Sequence, residues 1–397
     1  MKRKRKLTPR GAVWAGLLAT PVLVVAIVAA IGVAVAPAVP GTPAAPAATA
    51  ADTTVVHNPT RQTLAEVEAY WTSARIAQAE AYPMPTRSGS PSTAEGTLVP
   101  MAEPTGAPGA VAGALPGGAP LGTAVPETST EPQHTPYHDF IPYTRWSLIG
   151  RYDKFPNYTV LKMLFSQDHD GNGTGSNFVC SASSMGPDEA WTAGHCVTNN
   201  LGLSQPGSFN DGWSYNILVC PVYDNGIHPA HGCWGGGPVT LAGYRNGGNG
   251  NLDFGGIDTS DNGTVIAGQI GAHTGWLGFA WNQSRNQHWV AMGYPAGAPF
   301  AGGKIIMSAS AYGYDDDWQP DTIMGVAMGS DLTGGSSGGP WIISYGLPGQ
   351  VAGGGGNYIN GHNDWKWNTE PEAMVSPYFD CRPVLIYNFL RGTAFCP

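Results

Sequence analysis

The sequence predicts an all-β protein behind a long, poorly structured N-terminal region, and three observations lead there. From about residue 140 onward, short β-prone runs alternate with Gly, Asn and Asp turns and show hardly any helical periodicity. Over the same stretch aromatic residues become dense, whereas the preceding hundred positions are mostly Pro, Ala, Gly, Ser and Thr. All six cysteines, Cys180, Cys196, Cys220, Cys233, Cys381 and Cys396, fall in this later part as three close pairs. Many short strands of this kind build a sandwich or a barrel. The composition divides the chain into a leader at 1–50, a low-complexity region at 51–139 and a folded body at 140–397.

Residues 1–10 are basic and 12–36 almost wholly apolar, the layout of an export signal. At about 1.5 Å per residue that apolar run could also span a bilayer, so cleaved signal and retained anchor both stay open. Ala34-Val35-Ala36 has a cleavage pattern but precedes Pro37, and Ala48-Thr49-Ala50 lies far from the apolar run. Release to the exterior is the preferred reading, with anchoring to the outer face of the membrane the alternative. Any membrane contact is expected only through this segment.

A short helix is expected after Thr63. Thr63 and Glu66 form a capping-box pattern, and Leu64, Val67 and Trp71 repeat at i, i+3 and i+7. Such a helix needs a partner for its apolar stripe; a docking pro-segment and a stray turn in a linker are both open. Residues 83–136 read as an unpacked tether. In the body, strands are expected at 160–165, 178–183, 215–222, 288–293, 304–308, 322–327 and 340–344, with one helix at 384–390.

Six of the nineteen Lys and Arg residues lie in the first ten positions, so the formal charge falls from −9 to −15 without the leader. An acidic body with no basic cluster argues against nucleic acid as a partner. The cysteine spacing reads as three local disulfides made in an oxidising compartment, although six cysteines allow fifteen connectivities. A zinc site is the rival, but the set lacks Cys-x-x-Cys spacing and follows an export signal.

Two stretches carry chemistry. Gly334-Gly335-Ser336-Ser337-Gly338-Gly339-Pro340 presents hydroxyls between glycine pairs, where the backbone can turn tightly and expose N–H groups. Upstream, Thr192-Ala193-Gly194-His195-Cys196 sets a histidine beside a cysteine. A serine hydroxyl needs such a base to take its proton as it attacks carbon. Together these motifs resemble the signatures of secreted bacterial chymotrypsin-like (trypsin-like) serine peptidases, in the branch that includes glutamyl endopeptidases. The resemblance covers roughly residues 140–397, with weaker echoes at 251–255 and 291–295.

That resemblance implies two six-stranded antiparallel barrels with a C-terminal helix and a cleft between them. It implies Ser337 as nucleophile, His195 as general base and Asp253 as the carboxylate orienting the imidazole, Asp258 and Asp261 being nearby alternatives. The oxyanion hole would be the amides of Gly335 and Ser337. Cys180 would pair with Cys196. Asp331, six residues before Ser337, stands where trypsin-type members place a pocket carboxylate, and Gly353 and Gly354 lie in a stretch matching the strand that pairs with bound peptide. Ser336 is a departure: digestive members have an aspartate there that pairs with a new N-terminus, so control by the chain's own pro-segment is expected instead. The expected activity is that of an exported serine endopeptidase acting on protein or peptide substrates, with no metal or organic cofactor. The rival class is a non-catalytic binding protein on the same scaffold. Asp168-His169-Asp170-Gly171-Asn172-Gly173-Thr174 echoes half of a calcium loop, but Val179 stands where the bidentate Glu belongs, and a hairpin turn explains the same residues.

Overall fold

The computed structural model describes residues 52–59, 62–87, 106–119, 121, 143–147, 151–200, 209–259, 269–284, 288–310, 314–315, 325–346, 356–368 and 370–396. The leader, Asp261, and the glycine pair Gly353 and Gly354 lie outside them. Among the described residues no helix is long and apolar enough to cross a membrane.

The architecture is mostly sheet with few helices, as expected, and closes on a C-terminal helix. In the first half, Val160–Gln167 pairs with Ser176–Ser184 on one side and Tyr215–Pro221 on the other. From Ser176–Ser184 the sheet continues through Glu189–Ala193, Phe254–Asp258 and Gly237–Leu241 to Val55–His57. Val160–Gln167 is buried along its whole length, on both faces, and its polar members Lys162 and Gln167 are bonded, to Gly302 O and to Ser214 Oγ. In the second half, one sheet runs through Gly278–Trp281, Tyr358–His362, Pro340–Ile343, Val290–Gly293 and Ile306–Ser310. Another holds Gly325–Gly329, Glu370–Pro377 and Trp365–Trp367. The three disulfides join Cys180 to Cys196, Cys220 to Cys233 and Cys381 to Cys396. Closing loops of about fifteen residues, each is worth about 3 kcal/mol on the chain-entropy account.

The helix Cys381–Arg391 starts at Asp380, whose side chain accepts from Arg382 N, and stops at Gly392 with φ +61°. It buries Val384, Ile386 and Tyr387, and Arg391 at its last turn reaches Glu189 at 3.0 Å.

Several strands lie where the sequence shows little β signal. Phe254–Asp258 contains two glycines, Gly237–Leu241 a glycine and a proline, and Tyr358–His362 an Asn-Gly pair. They are held by pairing and burial on both sides, so tertiary context overrides propensity. The low-complexity region also differs from an unpacked tether. Gly109–Val111 adds a strand to Gly278–Trp281, and Thr86–Arg87 adds one to Trp365–Trp367. The boundary at 139/140 marks a change of composition; strands of the sheets begin well before it.

The helix Leu64–Tyr70 carries both halves of its capping box and buries Leu64 and Val67. Trp71 follows, buried, with its indole N–H donating to Asn216 O at 2.6 Å. Burying three such side chains contributes roughly 1.5–3 kcal/mol each. This stripe ties residues 62–71 to the first sheet.

Candidate active site

Strand register brings His195 and Asp253 together. Phe254 pairs with Ala193, so Asp253, just before one strand, stands beside the short helical turn Gly194–Val197 that follows the other. Asp253 Oδ2 lies 3.0 Å from His195 Nδ1, and its Oδ1 accepts from the His195 backbone N–H at 2.7 Å. Both carboxylate oxygens therefore hold one residue, fixing the imidazole with Nε2 on the far side. A Cβ at Gly194 would sit 2.8 Å from Asp253 Oδ1, so only glycine admits the carboxylate here.

The glycine-framed serine turn is positioned from the same sheet. Ser181 N donates to Ser337 O at 2.8 Å, and Ser181 Oγ donates to Gly335 O at 2.9 Å. Gly335 and Gly338 have φ +89° and +77°, left-handed values that favour glycine, and a Cβ at Gly338 would stand 2.6 Å from Ala193 N. Ser336 N donates to Thr333 O, Gly338 N to Asn363 O and Gly339 N to Ser336 O. The amides of Gly335 and Ser337 take no part in these bonds.

The two atoms that would exchange a proton are both buried and unbonded. Ser337 Oγ and His195 Nε2 have no hydrogen-bond partner among the described residues. Leaving such groups unmatched costs roughly 1–3 kcal/mol each. Burial is nearly complete, with Ser337 at 0% and His195 at 3% exposure.

Tyr82 supplies part of that cover. Its ring stacks on the His195 imidazole with centroids 5.4 Å apart and planes at 26°. Its hydroxyl donates to Gln167 Oε1 at 2.7 Å, its N–H donates to Val179 O at 3.1 Å, and the residue is 3% exposed. Glu80–Ala81 pairs in parallel with the strand edge at Phe178 and Val179, and the Tyr82 carbonyl crosses over Gly334. Beyond it, Lys366 N donates to Pro85 O and Asn368 N to Arg87 O, each at 3.0 Å. Residues 80–87 thus run from one sheet, past the serine turn, to another.

A second carboxylate reaches the imidazole. Asp364 Oδ1 lies 3.3 Å from His195 Nδ1, and the residue is 1% exposed. Burial alone would push His195 down, but Asp253 and then Asp364 outweigh it and raise it to about 10. Burial would lift Asp253, yet His195 holds it below the usual carboxylate range. Burial and the neighbouring Asp253 hold Asp364 well above that range. His362 is driven by burial to about 3 and accepts the Trp191 indole N–H at 3.2 Å. Sequence reasoning did not single out Asp364 or Tyr82. Neither sits in a motif, and both arrive by pairing between distant segments.

Of the expected pocket residues, Asp331 forms an ion pair with Arg145. Lys366 lies nearby, its ammonium donating to Ser330 O at 2.9 Å and its pKa lowered by burial to about 8. The Asp168–Thr174 loop turns its side chains on its own amides: Gly173 N donates to Asp168 Oδ2 and Thr174 N to Asn172 Oδ1. Among the described residues two groupings bring three metal-type donors within 4.8 Å: Cys180, His195 and Cys196, and His195, Asp253 and Asp364. The first pair of sulfurs is a disulfide and offers no thiolate. The second could hold a divalent cation only by giving up the Nδ1–H bond to Asp253.

No protein-family model matches the chain, and no curated protein matches it. Solved structures do. The chain is similar to a thermostable serine protease, AL20, from an extremophilic microorganism, at 26% identity over 60% of this chain and 98% of that one, with TM-score 0.46. It is similar to the protease Anisep from Arthrobacter nicotinovorans at 25% identity over 59% and 96%, with TM-score 0.46. A Glu endopeptidase in complex with MPD matches at 18% identity over 63% and 97%, with TM-score 0.43.

Proposed function

We propose that the chain is an exported serine endopeptidase whose cleft is closed by its own residues 80–87. The observation that carries the reading is the doubly bonded His195–Asp253 pair, at 3.0 and 2.7 Å, buried beside a glycine-framed serine turn. In this mechanism Ser337 Oγ attacks the scissile carbonyl carbon while His195 Nε2 takes its proton. Asp253 holds the Nδ1–H and balances the imidazolium that forms. The amides of Gly335 and Ser337 receive the oxyanion. His195 then returns the proton to the leaving amine, and water, deprotonated by the same imidazole, frees the acyl group from Ser337.

Closure explains why the reacting atoms are unbonded and covered. A ring on the imidazole leaves no room for substrate over the base, and a raised His195 is an imidazolium that cannot accept a proton at neutral pH. Residues 52–81 act as the pro-segment that delivers Tyr82, anchored through Leu64, Val67 and Trp71. The three disulfides suit an oxidising exterior.

A fluorophosphonate probe tests the reading. It should label Ser337, as mapped by mass spectrometry, slowly in the full-length chain and faster in Tyr82→Ala, with the label lost when His195→Ala is added. Failure to label Ser337 in both the wild-type chain and Tyr82→Ala would sink the peptidase reading.

A further inference from the structure

Two carboxylates face one imidazole N–H, and one N–H satisfies only one of them well. Asp253 holds the shorter contact, 3.0 Å against 3.3 Å for Asp364, and it also binds the His195 backbone. Neither oxygen of Asp364 receives a hydrogen bond from a described residue. The titratable groups that interact with it are His195, Asp253 and Tyr244, with no Lys or Arg among them, and Tyr82 and His362 face Asp253. An ionised carboxylate can only accept hydrogen bonds, so a buried one with no donor is strongly disfavoured. A protonated one becomes a donor, and a carboxylate oxygen of Asp253 lies within 4.8 Å, with a hydrogen bond between the two carboxyls lowering Asp253 and raising Asp364.

We propose that Asp364 is a positioning residue for this base: it carries a proton, donates it as a hydrogen bond to Asp253, and keeps the pocket beside Nδ1 at one negative charge rather than two. The proposal rests on the peptidase reading above. Closely spaced carboxylates in a buried site do not both ionise, and the raised value of Asp364 set against the lowered one of Asp253 follows that division. Were Asp364 charged, the imidazolium would be favoured further and His195 would accept the Ser337 proton only at still higher pH. The residue also ties base to nucleophile. Its neighbour Asn363 accepts from Gly338 N at 2.8 Å and donates to Ser336 O at 3.1 Å, while Asp364 N is fixed to Val375 O at 3.1 Å.

The test follows the rate of fluorophosphonate labelling at Ser337 against pH in full-length wild type, Asp364→Asn and Asp364→Ala. The acid limb of that profile reports His195. Asparagine keeps a neutral donor, so its limb should stay within about 0.3 pH unit of wild type and its rate within about threefold. Alanine removes the bond to Asp253, so its rate should fall roughly tenfold or more and its limb should move to higher pH. A limb that moves to lower pH in Asp364→Asn, as loss of a charge requires, overturns the proposal while leaving the peptidase reading intact. Absence of labelling in every variant, Tyr82→Ala included, removes both. Infrared difference spectra give a readout independent of rate: a protonated buried carboxyl band at neutral pH, missing in Asp364→Asn, is expected, and its absence from wild type overturns the proposal.

Discussion

The two sides of the candidate site are built differently. On the histidine side, side chains do the positioning: Asp253 grips His195 by both ring and backbone, Tyr82 covers the ring, and Asp364 stands behind. On the serine side the backbone does it, through Ser181 N donating to Ser337 O, Gly338 N donating to Asn363 O, and two glycines at positive φ. Groups that must be aimed are bonded, while Ser337 Oγ and His195 Nε2, which would react, are left unbonded. An imidazole needs a partner to fix its tautomer and rotation, whereas a serine on a tight turn is aimed by the main chain.

Asp253→Asn breaks the histidine side most sharply. It keeps the size of the side chain but favours the wrong imidazole tautomer, so turnover or labelling should fall by about 10⁴-fold with folding retained. Trp71→Ala attacks the anchor of the cover. Loss of a buried indole should cost about 3–5 kcal/mol, read from denaturant unfolding, if residues 62–71 unfold together with the sheets. A stability unchanged by this substitution would show that the anchor comes away on its own.

Tyr82→Ala sharpens the comparison, because it removes the ring on His195 without touching the serine turn. Labelling should rise roughly 10- to 100-fold, the range expected when a contact worth about 1.4–2.7 kcal/mol is lost. Equal rates in wild type and variant would mean that Tyr82 does not gate the cleft, whatever the fate of the peptidase reading.

The smallest effect concerns pH. His195 is raised in the folded chain, so its contribution to stability is complete below the unfolded imidazole value near ~6.5 and is lost as pH rises through about 10. Thermal midpoints of Ser337→Ala, which cannot digest itself, should therefore decline across this window, and adding His195→Ala should flatten the decline. A slope that survives the histidine substitution would assign it to other groups.

Much of the fold was legible locally. Val160–Gln167 and Ser176–Ser184 are marked by short apolar runs at 160–165 and 178–180 beside turn residues, and the C-terminal helix by its apolar run. Phe254–Asp258 and Tyr358–His362 are not, because glycine and asparagine read as turns until neighbouring strands claim their backbones. The same contrast separates the candidate site residues. His195 and Ser337 sit in short patterns whose residue types already imply a chemistry, Asp253 was singled out from neighbouring aspartates only through the resemblance, and Asp364 and Tyr82 lie in ordinary sequence.

The sequence alone determined which local chemistry is on offer: a glycine-framed serine, a histidine beside a cysteine, a capped amphipathic turn, and cysteines spaced for short loops. These are written within a few residues of one another, where geometry follows from the chain itself. Only the tertiary structure decided that Asp364 would share an imidazole with Asp253 and that residues 80–87 would lie across the serine turn. Contacts between segments more than a hundred positions apart depend on how whole sheets register and pack, and no local pattern encodes them.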